Sequence, residues 1–151
     1  MGYINLCEVR VVDIIFSDEA SSIILKNSTN GKKFPIHVSI ETGSLLLDLF
    51  QRQTFKRPNT FTLLSNCIVS LGAHIQTIVI DDFSEGIFIA KIILNHKGEV
   101  FSLDARPSDA IALAFVNHLS VWATAALIER LSCIEKIPPY GQKTDIFVIC
   151  H

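Results

Sequence analysis

The stretch from Asp104 to Phe115 concentrates charged and hydroxyl side chains in a form that could act on a phosphate group. It reads Asp-Ala-Arg-Pro-Ser-Asp and continues as Ala-Ile-Ala-Leu-Ala-Phe, so small apolar residues follow the polar ones directly. Proline fits the first turn of a helix, because its φ is fixed and it needs no N–H partner there. The sequence therefore predicts a junction where a strand ends, a helix begins and polar groups share a rigid base.

The residue types at this junction suggest phosphodiester chemistry. Asp104 and Asp109 could together hold a divalent metal, with magnesium expected, because Mg²⁺ usually takes one or two carboxylates plus water and phosphate. Such an ion activates water and stabilises charge on a phosphodiester. Arg106 could bind two phosphate oxygens, with Ser108 and the N–H groups of the helix start assisting. Asp104, Arg106 and Asp109 are thus the candidate catalytic residues.

The same residues also allow a purely structural interpretation. Asp109 would complement the positive end of the helix dipole, and Arg106 would form an ion pair with Asp104. Structural ion pairs of this kind imitate functional sites, so the residues alone leave both interpretations open.

A basic group is the second candidate. Arg52, Lys56 and Arg57 lie at a predicted helix end and in the loop after it. Lys56 and Arg57 could position a nucleic acid strand through phosphate contacts. Alternatively, the cations complement a helix C-terminus and keep a loop solvated. Neither the acidic run 81–86 nor the five histidines offer a better site, because the run is typical of a turn and the histidines lack metal-binding spacing.

Composition limits the class of protein. The chain has 151 residues, 49% of them hydrophobic, and a mean hydropathy of +0.40. These values predict one domain with a sizeable core and apolar surface that faces a partner, so we expect a homo-oligomer. The net charge of −2 gives no overall attraction to nucleic acid, so phosphate binding requires a local patch.

Targeting features point to a cytoplasmic protein without membrane contact. No apolar run reaches the length of a membrane span, and Glu8 and Arg10 come too early for a signal peptide. The four cysteines have no CxxC spacing, so we expect them to be reduced and mostly buried.

Hydrophobic periodicity predicts a duplicated βββα unit, each copy with a trailing helix. The first copy has strands at 9–16, 22–26 and 34–38 and helices at 41–53 and 62–71. About 66 residues later the order recurs, with strands at 76–81, 87–94 and 100–104 and helices at 107–117 and 123–133. Asn30-Gly31 and Lys97-Gly98 are the matching turns.

We therefore expect a single α/β (α+β) domain over residues 1–137, with repeats at about 9–72 and 76–134, forming one mixed sheet with helices packed on it. Residues 120–122 are ambiguous and could form a short strand before the last helix. Residues 138–151 are predicted to be a C-terminal extension, in which 145–150 could form an edge strand.

The junction resembles the signature of the bifunctional nuclease domain family, through Asp-Ala-Arg-Pro-Ser-Asp-Ala-Ile-Ala-Leu-Ala at residues 104–114. Other resembling pieces occur in family order: Phe34-Pro35-Ile36-His37-Val38, Arg57-Pro58-Asn59-Thr60, Leu71-Gly72-Ala73 and Ile78-Val79-Ile80-Asp81. The resemblance implies an α/β domain, oligomeric assembly and nuclease activity, which in some members of the family acts on both DNA and RNA.

One departure from the family keeps the functional alternatives open. Relatives commonly follow the arginine-proline element with threonine, histidine and aspartate, whereas Phe61 and Thr62 follow Thr60 here. The chain is therefore either a metal-assisted nuclease or a catalytically degenerate, oligomeric module that binds nucleic acid or regulates. A third alternative is a binder of small molecules or proteins without affinity for nucleic acid.

Overall fold

The predicted elements form one seven-stranded mixed sheet with four helices in the computed structural model, which describes residues 5–132. The strands are β1 (Leu6–Phe16), β2 (Ser21–Asn27), β3 (Lys33–Val38), β4 (Ala73–Ser84), β5 (Ile87–His96), β6 (Glu99–Ala105) and β7 (Val121–Thr124). The helices are α1 (Ile40–Phe50), α2 (Thr60–Ser70), α3 (Pro107–Asn117) and α4 (Ala125–Ser132). The predicted α/β class with a mixed sheet is confirmed.

The sheet consists of two antiparallel meanders joined through β7. Its strand order is β3-β2-β1-β7-β4-β5-β6, and β7 pairs antiparallel to β1 but parallel to β4. Each meander is followed by a helix, α1 after β3 and α3 after β6. This order agrees with the expected repeat, while the duplication itself stays a prediction.

Turn residues set the register of the second meander. Lys97 and Gly98 both have positive φ, 53° and 89°, as a two-residue hairpin turn requires. The turn places His96 opposite Glu99, and therefore Lys91 opposite Asp104. The predicted Lys97-Gly98 turn thus fixes which side chains meet across the β5–β6 pair.

Two predicted boundaries are wrong. The helix expected at 123–133 begins at Ala125, because Val121–Thr124 pairs with both β1 and β4 as a central strand. The helix expected at 41–53 ends at Phe50, since Arg52 turns into the left-handed region with φ 54°. The predicted edge strand at 145–150 lies outside the described residues.

Three helices cover one face of the sheet. Gly43 of α1 lies directly against Ser21 and Phe16. Strand pairing places Ile78, Ile92 and Leu103 on the same face of the sheet as these two residues. Helix α3 packs on α1, α2, β4 and β5, so it belongs to the same layer. Side chains that share a face with Leu103 therefore point toward the helices.

The opposite face is covered in its centre by α4. Ile24 and Val79 point away from the face that α1, α2 and α3 cover, because neighbouring side chains of a strand alternate between its faces, yet both are buried. Helix α4 contacts β3, β7 and β4 and buries Leu127, Ile128 and Leu131. Both described cysteines are free thiols; Cys7 is half-buried and Cys67 is exposed. The expected burial therefore does not hold for Cys67.

Candidate functional site

The strand-to-helix junction has the predicted form. Strand β6 ends at Ala105, Arg106 is extended at φ −69° and ψ 143°, and Pro107 begins α3. The helix is held tightly, because Pro107, Ser108 and the run from Ala110 to Ala114 are buried. A short apolar helix anchored in this way gives Arg106 and the first turn of α3 a rigid base.

Arg106 and Asp109 form a two-point ion pair at the start of α3. Nε of Arg106 donates to Oδ2 of Asp109 at 2.7 Å, and Nη2 donates to Oδ1 at 3.1 Å. The hydrogen bonds and the charge of Asp109 raise the pKa of Arg106, which stays a cation. Asp109 also sits in the first helical turn, where the dipole favours a carboxylate.

The expected ion pair between Arg106 and Asp104 is wrong. Asp104 instead accepts from Nζ of Lys91 at 3.2 Å across the β5–β6 pair. The reason is local geometry, since an i,i+3 spacing on one helical turn brings Asp109 to Arg106, whereas strand pairing brings Lys91 to Asp104. Lys91 is not among the residues that the motif predicts, although counting back from the Lys97-Gly98 turn identifies it as the partner of Asp104.

The structure does not bring Asp104 and Asp109 together. Leu103 and Ala105 pair with Ile92 and Ala90 on the face under the helices, so Asp104 points to the other face. Asp109 belongs to α3, in the helical layer. Within residues 5–132, no group of three or more histidine, cysteine or acidic residues is placed to hold a metal.

Arg106 keeps binding capacity beyond its ion pair. Its side chain is 80% exposed, and its Nη1 group makes no hydrogen bond within the part of the chain that the structure describes. A guanidinium has five N–H donors, so several stay available to an oxygen ligand such as phosphate. Ser108, in contrast, is only 9% exposed, so it has little access to a large substrate.

Two of the three predicted basic residues, Lys56 and Arg57, line a shallow, open depression in the loop between α1 and α2. Its volume is about 280 Å³, and its lining residues are Phe55, Lys56, Arg57, Pro58 and Thr62. Among residues 5–132, the side chains of Lys56 and Arg57 make no hydrogen bond and no ion pair. Two unpaired cations beside an open surface suit an anionic ligand.

This loop is anchored at the far end of α3 from the junction. Phe50, which precedes the loop, packs against Phe115 with ring centroids 5.9 Å apart. On the other side of the loop, Ser65 donates to Asn117 at 2.7 Å. Because α3 has 11 residues, its two ends are separated by about 16 Å. The elements that flank the basic loop therefore contact one end of α3, whereas Arg106 precedes the other end.

The residues that depart from the family pattern have structural roles. Phe61 packs against the core, and Thr62 donates both its N–H and its hydroxyl to Oδ1 of Asn59. Asn59 caps α2 through this contact. These positions support the start of α2 rather than supply a titratable group.

Comparison with known proteins identifies the family of this chain. The profile of the bifunctional nuclease domain matches residues 23–136, so the chain belongs to this family. Two sequences from Mycobacterium tuberculosis, the uncharacterized proteins Rv1829 (strain H37Rv) and MT1877 (strain CDC 1551), are each 28% identical over 125 residues. These matches cover 82% of this chain and 74% of either relative. Within residues 5–132, none of the helices is long and apolar enough to cross a membrane.

Proposed function

We propose that this protein hydrolyses phosphodiester bonds in DNA or RNA, with Arg106 binding the phosphate at the cleaved bond. One observation carries the proposal. In this bifunctional nuclease domain, the exposed guanidinium of Arg106 is fixed in orientation by two hydrogen bonds to the carboxylate of Asp109. Hydrolysis joins a water oxygen to phosphorus while the bond to the leaving sugar oxygen breaks. A cation that contacts the non-bridging oxygens stabilises the charge of that transition state.

Asp109 acts in this proposal as a positioning residue. Its carboxylate occupies two donors of Arg106 and leaves the remaining edge of the guanidinium directed at solvent. A fixed fork binds phosphate better than a free one, because less side-chain entropy is lost on binding. Lys56, Arg57 and, to a smaller extent, Ser108 are the proposed further contacts to the nucleic acid.

A divalent metal, with magnesium expected, is proposed to bind at the junction through the carboxylate of Asp104 alone rather than through Asp104 and Asp109 together. Oδ2 of Asp104 makes no hydrogen bond within residues 5–132, and the Asp104 side chain is 79% exposed. Mg²⁺ is commonly held by a single carboxylate together with water and substrate phosphate. When bound, the ion would supply an activated water and stabilise phosphate charge. Lys91, on the same Asp104 carboxylate, weakens its attraction for a cation.

Cleavage of labelled single-stranded DNA, duplex DNA and RNA by the purified protein tests the proposal. We expect product formation with Mg²⁺ and loss of activity in Arg106→Gln. A Lys33→Ala variant is the matched control, since Lys33 is an exposed cation on β3 at the other edge of the sheet. Wild-type activity in Arg106→Gln would contradict the role of this side chain.

A second candidate function is a catalytically degenerate, oligomeric module that binds nucleic acid or regulates. The observation that favours it is that each junction carboxylate already has a cationic partner, Lys91 for Asp104 and Arg106 for Asp109. Salt-dependent binding of DNA or RNA without cleavage at any metal concentration would select this function.

We also propose a homo-oligomer, supported by apolar side chains that solvent reaches. Strand β6, at the sheet edge, exposes Val100, Phe101 and Leu103. Helix α2 and the residue after it expose Leu63, Leu64, Val69 and Leu71. Apolar surface of this kind is typical of interaction sites. A cytoplasmic location stays a prediction, to be checked by cell fractionation.

A further inference from the structure

We propose that the loop between α1 and α2 is a distinct binding site for single-stranded nucleic acid. In this site Phe55 stacks on an unpaired base, and Lys56 and Arg57 contact the neighbouring phosphates. The proposal rests on the proposed nuclease function and extends it, because it names the form of nucleic acid and a contact point away from Arg106.

The charge distribution along the chain singles out this loop. Between Asp48 and Asp81 the sequence has three cations, Arg52, Lys56 and Arg57, and no carboxylate, although the whole chain has a net charge of −2. The first turn of α2 also lacks an acidic residue, so no side chain of that turn offsets the positive end of the helix dipole. The loop is the local basic patch that an acidic protein needs to bind a polyanion.

The arginines of the loop differ from the others. Arg10, Arg106 and Arg130 each form an ion pair with a carboxylate. In the described part of the chain, Arg52 and Arg57 form none. Unpaired guanidinium groups that stay in water keep their donors for an incoming ligand, and phosphate oxygens match their geometry.

Phe55 gives the loop its preference for an unpaired base. Its side chain is 39% exposed and lines the same shallow, open depression as Lys56 and Arg57. Aromatic side chains interspersed with cations are the usual composition of sites for single strands, where bases stack on the rings and the backbone contacts the cations. A duplex hides its base faces within the stack, so Phe55 can reach only a base that is unpaired.

The position of the loop makes it a second point of contact. Phe50 and Phe115 hold it at the C-terminal end of α3, whereas Arg106 precedes the N-terminal end. The helix separates these two ends by about 16 Å, so the residue that precedes the loop and Arg106 belong to opposite ends of α3. A single strand of several nucleotides can contact Phe55 with one base and Arg106 with a distant phosphate.

Fluorescence anisotropy with a labelled 12-nucleotide oligothymidylate, in EDTA so that metal-dependent cleavage does not occur, tests the site. We expect Phe55→Ala to weaken binding about tenfold and Phe55→Tyr, which keeps an aromatic face, to restore it. Lys56→Ala and Arg57→Ala should each weaken binding and lessen its salt dependence. Ile87→Ala and Lys33→Ala, at exposed apolar and basic positions elsewhere, should bind as wild type does.

Three results would overturn the proposal: unchanged affinity in Phe55→Ala, equal affinity for an abasic strand of the same length, or equal affinity for a duplex. Its failure is distinguishable from failure of the nuclease proposal. Binding through Phe55 without cleavage under any metal condition contradicts only the nuclease function. If the protein cleaves nucleic acid but Phe55→Ala leaves its affinity for the oligothymidylate unchanged, only the loop site is contradicted.

Discussion

Arg106 and Asp109 are joined by parallel hydrogen bonds of 2.7 and 3.1 Å across one turn at the start of α3. The carboxylate belongs to a helix whose apolar side is buried, so it fixes the direction of a guanidinium that is otherwise in solvent. The pair therefore joins a rigid element to an exposed cation, an arrangement suited to positioning a phosphate.

The geometry of this pair predicts that charge alone is insufficient at position 106. Arg106→Lys keeps the cation but cannot make two parallel bonds, so we expect roughly a tenfold loss of cleavage. The free energy of unfolding should change by less than about 1 kcal/mol, because exposed ion pairs stabilise little. Kinetics and urea unfolding of the same preparation measure both, and full activity in the lysine variant would contradict the two-point contact.

The metal requirement should depend on the balance between Asp104 and Lys91. Removing the competing cation in Lys91→Met should lower the Mg²⁺ concentration needed for half-maximal cleavage, because Oδ1 of Asp104 is released. Asp104→Asn should raise that concentration, whereas Asp18→Asn, at an exposed position between β1 and β2, should leave it unchanged. Cleavage that persists in EDTA would contradict a metal role for Asp104.

His37 should make the protein less stable in mild acid. Burial lowers its pKa below the usual value of 6.5, and its Nδ1 lies 2.8 Å from Oγ of Ser22. Its strand alternation favours a solvated or interface position, but the side chain is half-buried. As pH falls below about 6.5, the unfolded chain binds a proton that the folded chain resists, so stability is lost.

Urea unfolding between pH 8 and pH 5 measures this loss. A His37→Gln variant cannot titrate, so we expect its stability to vary less over that interval. His118→Gln, at an exposed position after α3, should keep the wild-type slope. Identical slopes for His37→Gln and the wild type would show that another group causes the pH dependence.

Gly43 is predicted to be essential for packing α1 on the sheet. A Cβ at this position would collide with Cβ and Oγ of Ser21, which is itself 1% exposed. Gly43→Ala should therefore destabilise the fold by about 1–3 kcal/mol despite the better helix propensity of alanine. The double variant with Ser21→Gly should recover part of the loss, and Ser44→Ala is the neighbouring control. Unfolding free energies that do not differ between the single and double variants would contradict the collision.

The exposed edge of β6 should contribute to self-association. Light scattering at micromolar concentration is expected to give a multiple of the 16.8 kDa chain mass. Phe101→Lys, which places a charge on this edge, should reduce the measured mass, because a charge at a pairing edge opposes strand addition. Glu99→Gln, at the exposed start of the same strand, also changes the net charge by +1 and therefore controls for overall charge. A monomer in the wild-type sample would refute the oligomer.

Much of the fold follows from local pattern and turn chemistry. Alternating β-branched residues, helical leucine spacing and the Lys97-Gly98 turn predict the strands, helices and one register, because these features depend on neighbours in the chain. The junction at Pro107 is equally local, as is the family signature around it. The i,i+3 spacing of Arg106 and Asp109 is a local feature as well, so the sequence permits their ion pair to be predicted, even though Asp104 is the partner expected above.

Tertiary structure decided how the candidate residues are distributed. Val121–Thr124 is a central strand only because β1 and β4 flank it, and its own four residues carry too weak a pattern to show this. Asp104 and Asp109 lie on different sides of the sheet, because side-chain alternation in β6 turns Asp104 away from the face on which α3 packs. This arrangement depends on how two elements are placed relative to each other. The contact of Phe50 with Phe115 likewise attaches the residue that precedes the basic loop to the end of α3 opposite Arg106. The sequence by itself determined the elements and the chemical groups, whereas long-range packing decided which groups meet.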